Sequence, residues 1–102
     1  MLQIKNFIDG EFSSAISGEY LDDFNPATGE KIGNISNSDQ RDVENAVKAA
    51  KDAFLDWSSL SMSERIDWLE KIANALESKK EEIAKIESLD TGKPISLARR
   101  VD

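Results

Sequence analysis

The spacing of apolar side chains changes once along this chain, near position 38. Before that point the apolar positions come in short extended runs separated by turn residues. Asn6-Phe7-Ile8 and Glu11-Phe12-Ser13 flank Asp9-Gly10, a dipeptide that tolerates positive φ at both centres of a tight turn, so the pattern predicts a β-hairpin with a two-residue loop. A polar connector, Ser14 to Gly18, leads to a second extended run, Glu19-Tyr20-Leu21-Asp22-Asp23-Phe24. Asn25-Pro26-Ala27-Thr28-Gly29 then reverses the chain, because Pro26 fixes φ and Gly29 permits a left-handed residue. A short strand, Lys31-Ile32-Gly33-Asn34-Ile35, is expected to follow.

From Ser38 onward the apolar step becomes three or four residues. Val43, Ala46, Val47, Ala50, Phe54 and Trp57 define one stripe of a first helix. Ser38 is the expected cap, Asp39 and Asp42 suit the positive end of the helix dipole, and Glu44 with Lys48 forms an i,i+4 pair. Ser61-Met62-Ser63-Glu64 has capping-box spacing and predicts a second helix with the stripe Met62, Ile66, Leu69, Ile72, Ala73 and Leu76. The short connection predicts that these two helices form an antiparallel hairpin. Ser78 is the expected cap of a third helix carrying Ile83, Ile86 and Leu89, which stops where Gly92 can turn left-handed ahead of Pro94. A fourth helix is expected to begin near Pro94, with Ala98 and Val101 on its apolar side and no stop signal after them. The fold class is therefore α+β: an N-terminal hairpin and short strand over 1–37, then three to four helices over 38–102.

Composition narrows the chemistry. The 102 residues contain neither cysteine nor histidine, which removes disulfides, thiolate nucleophiles, imidazole bases and the usual zinc ligands together. A net charge of -7 opposes binding to nucleic acid or to anionic lipid, both of which require clustered Lys and Arg. No run approaches the ~18 apolar residues of a membrane span, and the first residues lack a signal-peptide core, so a cytoplasmic protein is expected.

The candidate motifs fall to plainer readings. Gly92-Lys93-Pro94 lacks the upstream Gly and the following Ser or Thr of a phosphate loop, and no Gly-x-Gly-x-x-Gly is present. Asp22-Asp23, Glu81-Glu82 and Asp90 are expected to be solvated carboxylates in a chain with 20 acidic residues. Asn34-Ile35-Ser36 matches a glycosylation acceptor only by chance in the absence of a secretory signal. Trp57 and Trp68 are expected to pack rather than stack a ligand, and Arg65 and Lys93 to meet carboxylates or solvent. A final helix without a cap and a small sheet with open edges would need covering, and the absence of repeats points to further chain as the cover.

Several segments taken in order resemble the start of the aldehyde dehydrogenases: Phe7-Ile8-Asp9-Gly10-Glu11-Phe12, Asn25-Pro26-Ala27-Thr28-Gly29-Glu30, Ala46-Val47-Lys48-Ala49-Ala50 with Ala53-Phe54 and Trp57, Ser63-Glu64-Arg65, and Glu87-Ser88-Leu89-Asp90-Thr91-Gly92-Lys93-Pro94. The resemblance covers nearly the whole chain. It implies an α/β parent enzyme with a Rossmann-type cofactor domain, a catalytic domain and an oligomerisation extension, oxidising a small aldehyde to an acid with NAD or NADP. In that family a Cys attacks the aldehyde, hydride passes to the nicotinamide, and a Glu activates water. The resemblance implies that these groups and the nucleotide-binding turn lie beyond position 102. On this view residues 1–102 are an incomplete, amino-terminal part of the cofactor-binding domain with no catalytic or cofactor-binding residue. Such a piece would be inactive alone, bind no cofactor, and have the remainder of a homo-oligomeric parent as its partner.

The resemblance also implies one candidate ion site. Some relatives bind a monovalent cation just before the Asn-Pro turn and after the Gly-Lys-Pro segment, positions that correspond here to Asp23, Phe24 and Asp102, with the Phe24 carbonyl and the Asp102 carboxylate as ligands. The competing reading from the residues alone is a stand-alone acidic helical module that binds a partner protein through its exposed stripes.

Overall fold

The computed structural model describes residues 2–101. They form two compact units, one built from the residues up to Asp23 together with Lys31–Ser59, the other from Phe24–Glu30 together with the residues from Leu60 onward.

The first unit holds five strands and one helix: β1 (Leu2–Ile4), β2 (Asn6–Ile8), β3 (Glu11–Ser13), β4 (Tyr20–Phe24, its last residue in the second unit), β5 (Lys31–Ser36) and α1 (Gln40–Ser59). The hairpin forms as expected. β2 and β3 pair antiparallel with Asn6 opposite Ser13, Phe7 opposite Phe12 and Ile8 opposite Glu11. Asp9 at φ 53° and Gly10 at φ 80° close it; both central residues need positive φ because only that turn twist matches the strands. The Phe7 and Phe12 rings stack as a tilted cross-strand pair with centroids 4.9 Å apart.

The remaining strands form a sheet in the order β1-β5-β4. β1 is an element that the apolar pattern does not announce. It runs parallel to β5, with Leu2 opposite Gly33 and Ile4 opposite Ile35. Gly33 is buried, and a Cβ there would collide with the Leu2 backbone, so the close approach of the two strands depends on glycine. Bonds from Asn25 N to Glu30 O and from Asn37 N to Glu19 O, both 2.9 Å, set β4 and β5 antiparallel across the Asn-Pro turn.

α1 starts two residues later than its expected cap. Asp39 is the capping residue: its Oδ1 accepts from the Arg41 amide at 2.9 Å, and its own amide donates to Asp42 Oδ2 at 2.9 Å. Ser38 does not cap because its hydroxyl is taken by the Asn6 side chain, accepting at 2.8 Å and donating at 3.0 Å. The i,i+4 ion pair on this helix is Lys48 with Asp52 at 2.5 Å, while Glu44 accepts from Gln40.

The second unit holds α2 (Met62–Ser78), α3 (Lys80–Thr91) and α4 (Ile95–Val101). α1 belongs to the first unit. Both halves of the Ser61–Glu64 capping box are present, at 3.1 and 2.8 Å. Ser78 does not cap α3: its hydroxyl donates back to the Ala75 carbonyl at 2.7 Å, and Lys79 stands between the helices with no side-chain cap. Gly92 ends α3 in the left-handed conformation, φ 77°, as its position predicts. α4 opens on Pro94, whose carbonyl accepts from Leu97 and Ala98.

Among the described residues the buried side chains are few and small: Ala15, Ala84 and Ala98, with Asp42 as the buried polar residue. α3 and α4 pack together, contributing Ala84 and Ala98, and Arg99 grips Glu81 through Nε and Nη2. The apolar stripes of α1 and α2 are not covered. Val43, Phe54, Leu69 and Ile72 are each more than half exposed, and no residue of α2 is buried. Trp57 and Trp68 are also exposed, against the expectation that they pack; Lys71 Nζ lies 4.5 Å from the Trp68 ring centroid. Among the described residues no helix is long and apolar enough to cross a membrane.

Candidate functional site

Within the second unit the Asn-Pro turn and the Gly-Lys-Pro segment, more than sixty positions apart in sequence, come together. The turn is built from its own amides: Gly29 N reaches Asn25 O at 2.7 Å, and Asn25 Oδ1 accepts from Ala27 N at 2.9 Å. Asn25 thus acts as an Asx cap on the turn that Pro26 initiates. A Cβ placed on Gly92 would lie 3.1 Å from Pro26 Cγ, so the turn rests against the end of α3 at a place where only a glycine is relaxed. Beside it is an open recess of about 330 Å³ lined by Asn25, Ala27, Lys85, Ser88, Leu89 and Ile95. Lys93, the one basic residue of the Gly-Lys-Pro segment, pairs with Glu87 at 3.4 Å rather than pointing to a phosphate.

Phe24, the candidate carbonyl ligand, closes β4 immediately before this turn with its ring half exposed. Asp102, the candidate carboxylate ligand, lies outside the described residues. Among the described residues no three acidic side chains gather as a metal site would require.

The charged groups are structural in their chemistry. Arg99 donates to Glu81 and holds that carboxyl below the usual carboxylate range, and Glu81 in turn raises the Arg99 guanidinium. Arg41 acts on Asp39 in the same way, chiefly through its side-chain hydrogen bonds. Asp22 pairs with Lys31 at 2.7 Å, so this candidate acid/base carboxylate is also an ion-pair partner. The sequence has no thiol or imidazole, and the charged pairs described here fix turns and helix ends.

Asp42, expected at the positive end of the first helix's dipole and found in its first turn, has a further role that the pattern does not show. It is 5% exposed, and its two oxygens accept from the Ile16 amide at 3.0 Å and the Asp39 amide at 2.9 Å, tying the β3–β4 connector to the start of α1. An acidic residue three places after an Asp at a helix start was the available signal.

Comparison with known proteins agrees with this architecture. Residues 12–102 match the model of the aldehyde dehydrogenase family. The 2-aminomuconic semialdehyde dehydrogenases of Homo sapiens and Bos taurus are each 45% identical over all 102 residues. Among solved structures, PnpE from Pseudomonas sp. WBC-3 superposes with a TM-score of 0.93 at 41% identity, covering 98% of this chain and 20% of PnpE. The NAD+ complex of Bacillus cereus aldehyde dehydrogenase gives a TM-score of 0.93 at 39% identity, covering 99% of this chain and 21% of that enzyme. The chain spans about a fifth of the length of the curated relatives it matches, 20% of each of the two mammalian enzymes. On its sequence and on its fold alike, the chain belongs to the aldehyde dehydrogenase family.

Proposed function

We propose that this chain is the amino-terminal part of the cofactor-binding domain of an NAD(P)-dependent aldehyde dehydrogenase, and that its role is to scaffold rather than to react. The observation that carries the reading is a family match over nearly all of a chain that has no cysteine and leaves the stripe of α2 uncovered. Thioester-forming oxidation of an aldehyde needs a sulfur nucleophile, and the dinucleotide supplies the hydride acceptor. This chain's own residues do something else: the Asn25 turn seats Pro26 against Gly92, and Glu81 with Arg99 fixes α3 to α4. NAD rather than NADP is favoured by the relatives solved with it. The substrate of the whole enzyme is an aldehyde, and the enzyme is a cytoplasmic homo-oligomer.

The same reading makes the Phe24 carbonyl and the Asp102 carboxylate this chain's two ligands for a monovalent cation, with the rest of the shell coming from outside it. The test joins this chain to the Bacillus cereus enzyme in place of the matching fifth. The chimera is expected to reduce NAD with an aldehyde, and the isolated chain to give no reduced nicotinamide. Turnover by the isolated chain would overturn the reading. In the chimera, Asp102→Ala is expected to abolish any difference in melting between potassium and choline buffers; an unchanged difference would remove the cation site.

A further inference from the structure

The turn between β2 and β3 joins two residues that react with one another when nothing restrains them. Asp9-Gly10 is the one Asp-Gly pair of the sequence. Both residues are exposed, and a Cβ added to Gly10 would meet no atom within 4 Å, so nothing shields the bond between them. Among the described residues the Asp9 carboxylate enters no hydrogen bond or ion pair, and Lys48, the cation that senses its charge, is held by Asp52. The ladder closes on Ile8 and Glu11 and leaves the Gly10 amide outside it. An unengaged carboxyl group therefore stands beside an unengaged amide.

The dihedrals of the turn decide whether the two can meet. Values of φ of 53° at Asp9 and 80° at Gly10 are those of a type I′ turn. A five-membered ring from the Gly10 nitrogen to Asp9 Cγ closes only when that nitrogen eclipses Cβ about the Cα–C bond, which in an L residue is a ψ near about −120°, the value at the first central position of a type II′ turn. That turn keeps φ near about +60° at the first central residue and takes φ to about −80° at the second. Passing between the two turns is thus a flip of the 9–10 peptide plane. Asp9 already holds the φ that both turns need, and Gly10 accepts either sign of φ. Both are favoured hairpin turns, so β2 and β3 stay paired through the flip. An open recess of about 510 Å³, between the turn and Ala46, Ala49 and Ala50 of α1, gives the plane room to turn and water a way in.

We propose that Asp9-Gly10 is a site of spontaneous covalent modification in the folded chain, where the aspartyl linkage isomerises to an isoaspartyl linkage while the hairpin stays formed up to the cyclic imide. The Gly10 nitrogen bonds to Asp9 Cγ, and a carboxyl oxygen leaves as water with the acid proton and the amide hydrogen. Water then adds to the Asp9 main-chain carbonyl carbon, whose bond to the nitrogen breaks. The composition is restored, but the main chain now runs through Cβ and Cγ. One extra main-chain carbon in a two-residue loop does not fit the Ile8–Glu11 closure, so the product loses the Phe7–Phe12 ring pair.

The test ages the purified chain at neutral pH, both natively, where Phe7–Phe12 contacts in NMR report the formed hairpin, and in guanidinium chloride. Electron-transfer fragmentation of the Asn6–Lys31 peptide, released by cleavage after lysine, then locates isoaspartate. It is expected at position 9 ahead of every other aspartate. The native rate is expected to lie within about tenfold of the unfolded one, because a choice between two favoured turns costs less than the ~1.4 kcal/mol that tenfold represents. Asp9→Asn is expected to reach the same imide in the native chain by losing ammonia, and Asp9→Glu, whose ring would need six members, to abolish the reaction. A native rate more than about tenfold below the unfolded one, isoaspartate chiefly at another position, or an Asp9→Asn chain that deamidates only when unfolded overturns the proposal. Phe7–Phe12 contacts that persist in the isolated isoaspartyl form overturn its effect on the hairpin.

Discussion

Replacing Asp42 by alanine removes the acceptor for two part-buried amides at once. The Ile16 amide at 3.0 Å and the Asp39 amide at 2.9 Å both lose a carboxylate oxygen, and the 5% exposure of Asp42 leaves little room for water to replace it. A buried group left unsatisfied costs about 1–3 kcal/mol, and since both amides are part-buried each falls in the lower part of that range, so the pair is worth about 2–4 kcal/mol. That is a large share of the ~5–15 kcal/mol expected for a chain of this length, and among the described residues only three small apolar side chains are buried to offset it. The assay is urea denaturation followed by Trp57 fluorescence in a Trp68→Phe background, because Trp57 lies on α1 in the same unit as Asp42. With a slope of about 1.5 kcal/mol/M, a loss of 3 kcal/mol lowers the midpoint by about 2 M. Asp42→Asn keeps one acceptor oxygen and should fall between. Asp52→Ala, which removes only the exposed pair with Lys48, should leave the midpoint where it was. If Asp42→Ala moved the midpoint no further than Asp52→Ala, the clasp would have no energetic meaning.

Three other substitutions probe the second unit. Gly92→Ala forces an L side chain to φ 77° and brings its Cβ within 3.1 Å of Pro26; a loss of about 1–2 kcal/mol is expected in thermal melts, and an unchanged melting temperature would show that the turn does not rest on α3. Ser61→Ala removes a capping hydroxyl and should cost about 1 kcal/mol, whereas Ser78→Ala removes no cap and should cost far less; equal losses would contradict the assignment of caps. Because Arg99 depresses the Glu81 pKa, the stabilisation from this pair is complete above the carboxyl's unfolded pKa and is lost as pH falls through the folded value. Carbon-detected NMR titration should show the Glu81 midpoint rising in Arg99→Gln, and an unmoved midpoint would exclude the guanidinium as the cause.

What was legible in the sequence was whatever few residue types can do. Asp9-Gly10 and Gly92 take positive φ that other residues resist, and Ser61-x-x-Glu64 satisfies two amides by a fixed spacing, so all three appeared as expected. Choices decided by distant partners were not legible. Ser38 and Asp39 are both good caps, and only the Asn6 side chain, 32 positions away, diverts Ser38. β1 is three residues long and gains its identity from Gly33 across the sheet. The sequence places Asp42 at the positive end of a helix dipole, but not its burial, because its second partner, the Ile16 amide, is 26 positions upstream. The apolar stripes were correctly placed on α1 and α2, but periodicity tells which face is apolar and not what covers it. That is why Trp57 and Trp68, expected to pack, stand exposed.

The central claim is that α2 belongs to a larger body than the chain itself provides, and amide hydrogen exchange reads this residue by residue. In the isolated chain the amides of Met62 to Leu76 should exchange by local opening, well ahead of global unfolding, and in the chimera with the Bacillus cereus enzyme they should slow by orders of magnitude. Strong and equal protection of α2 in both would contradict the account, because the helix would then need nothing beyond its own chain.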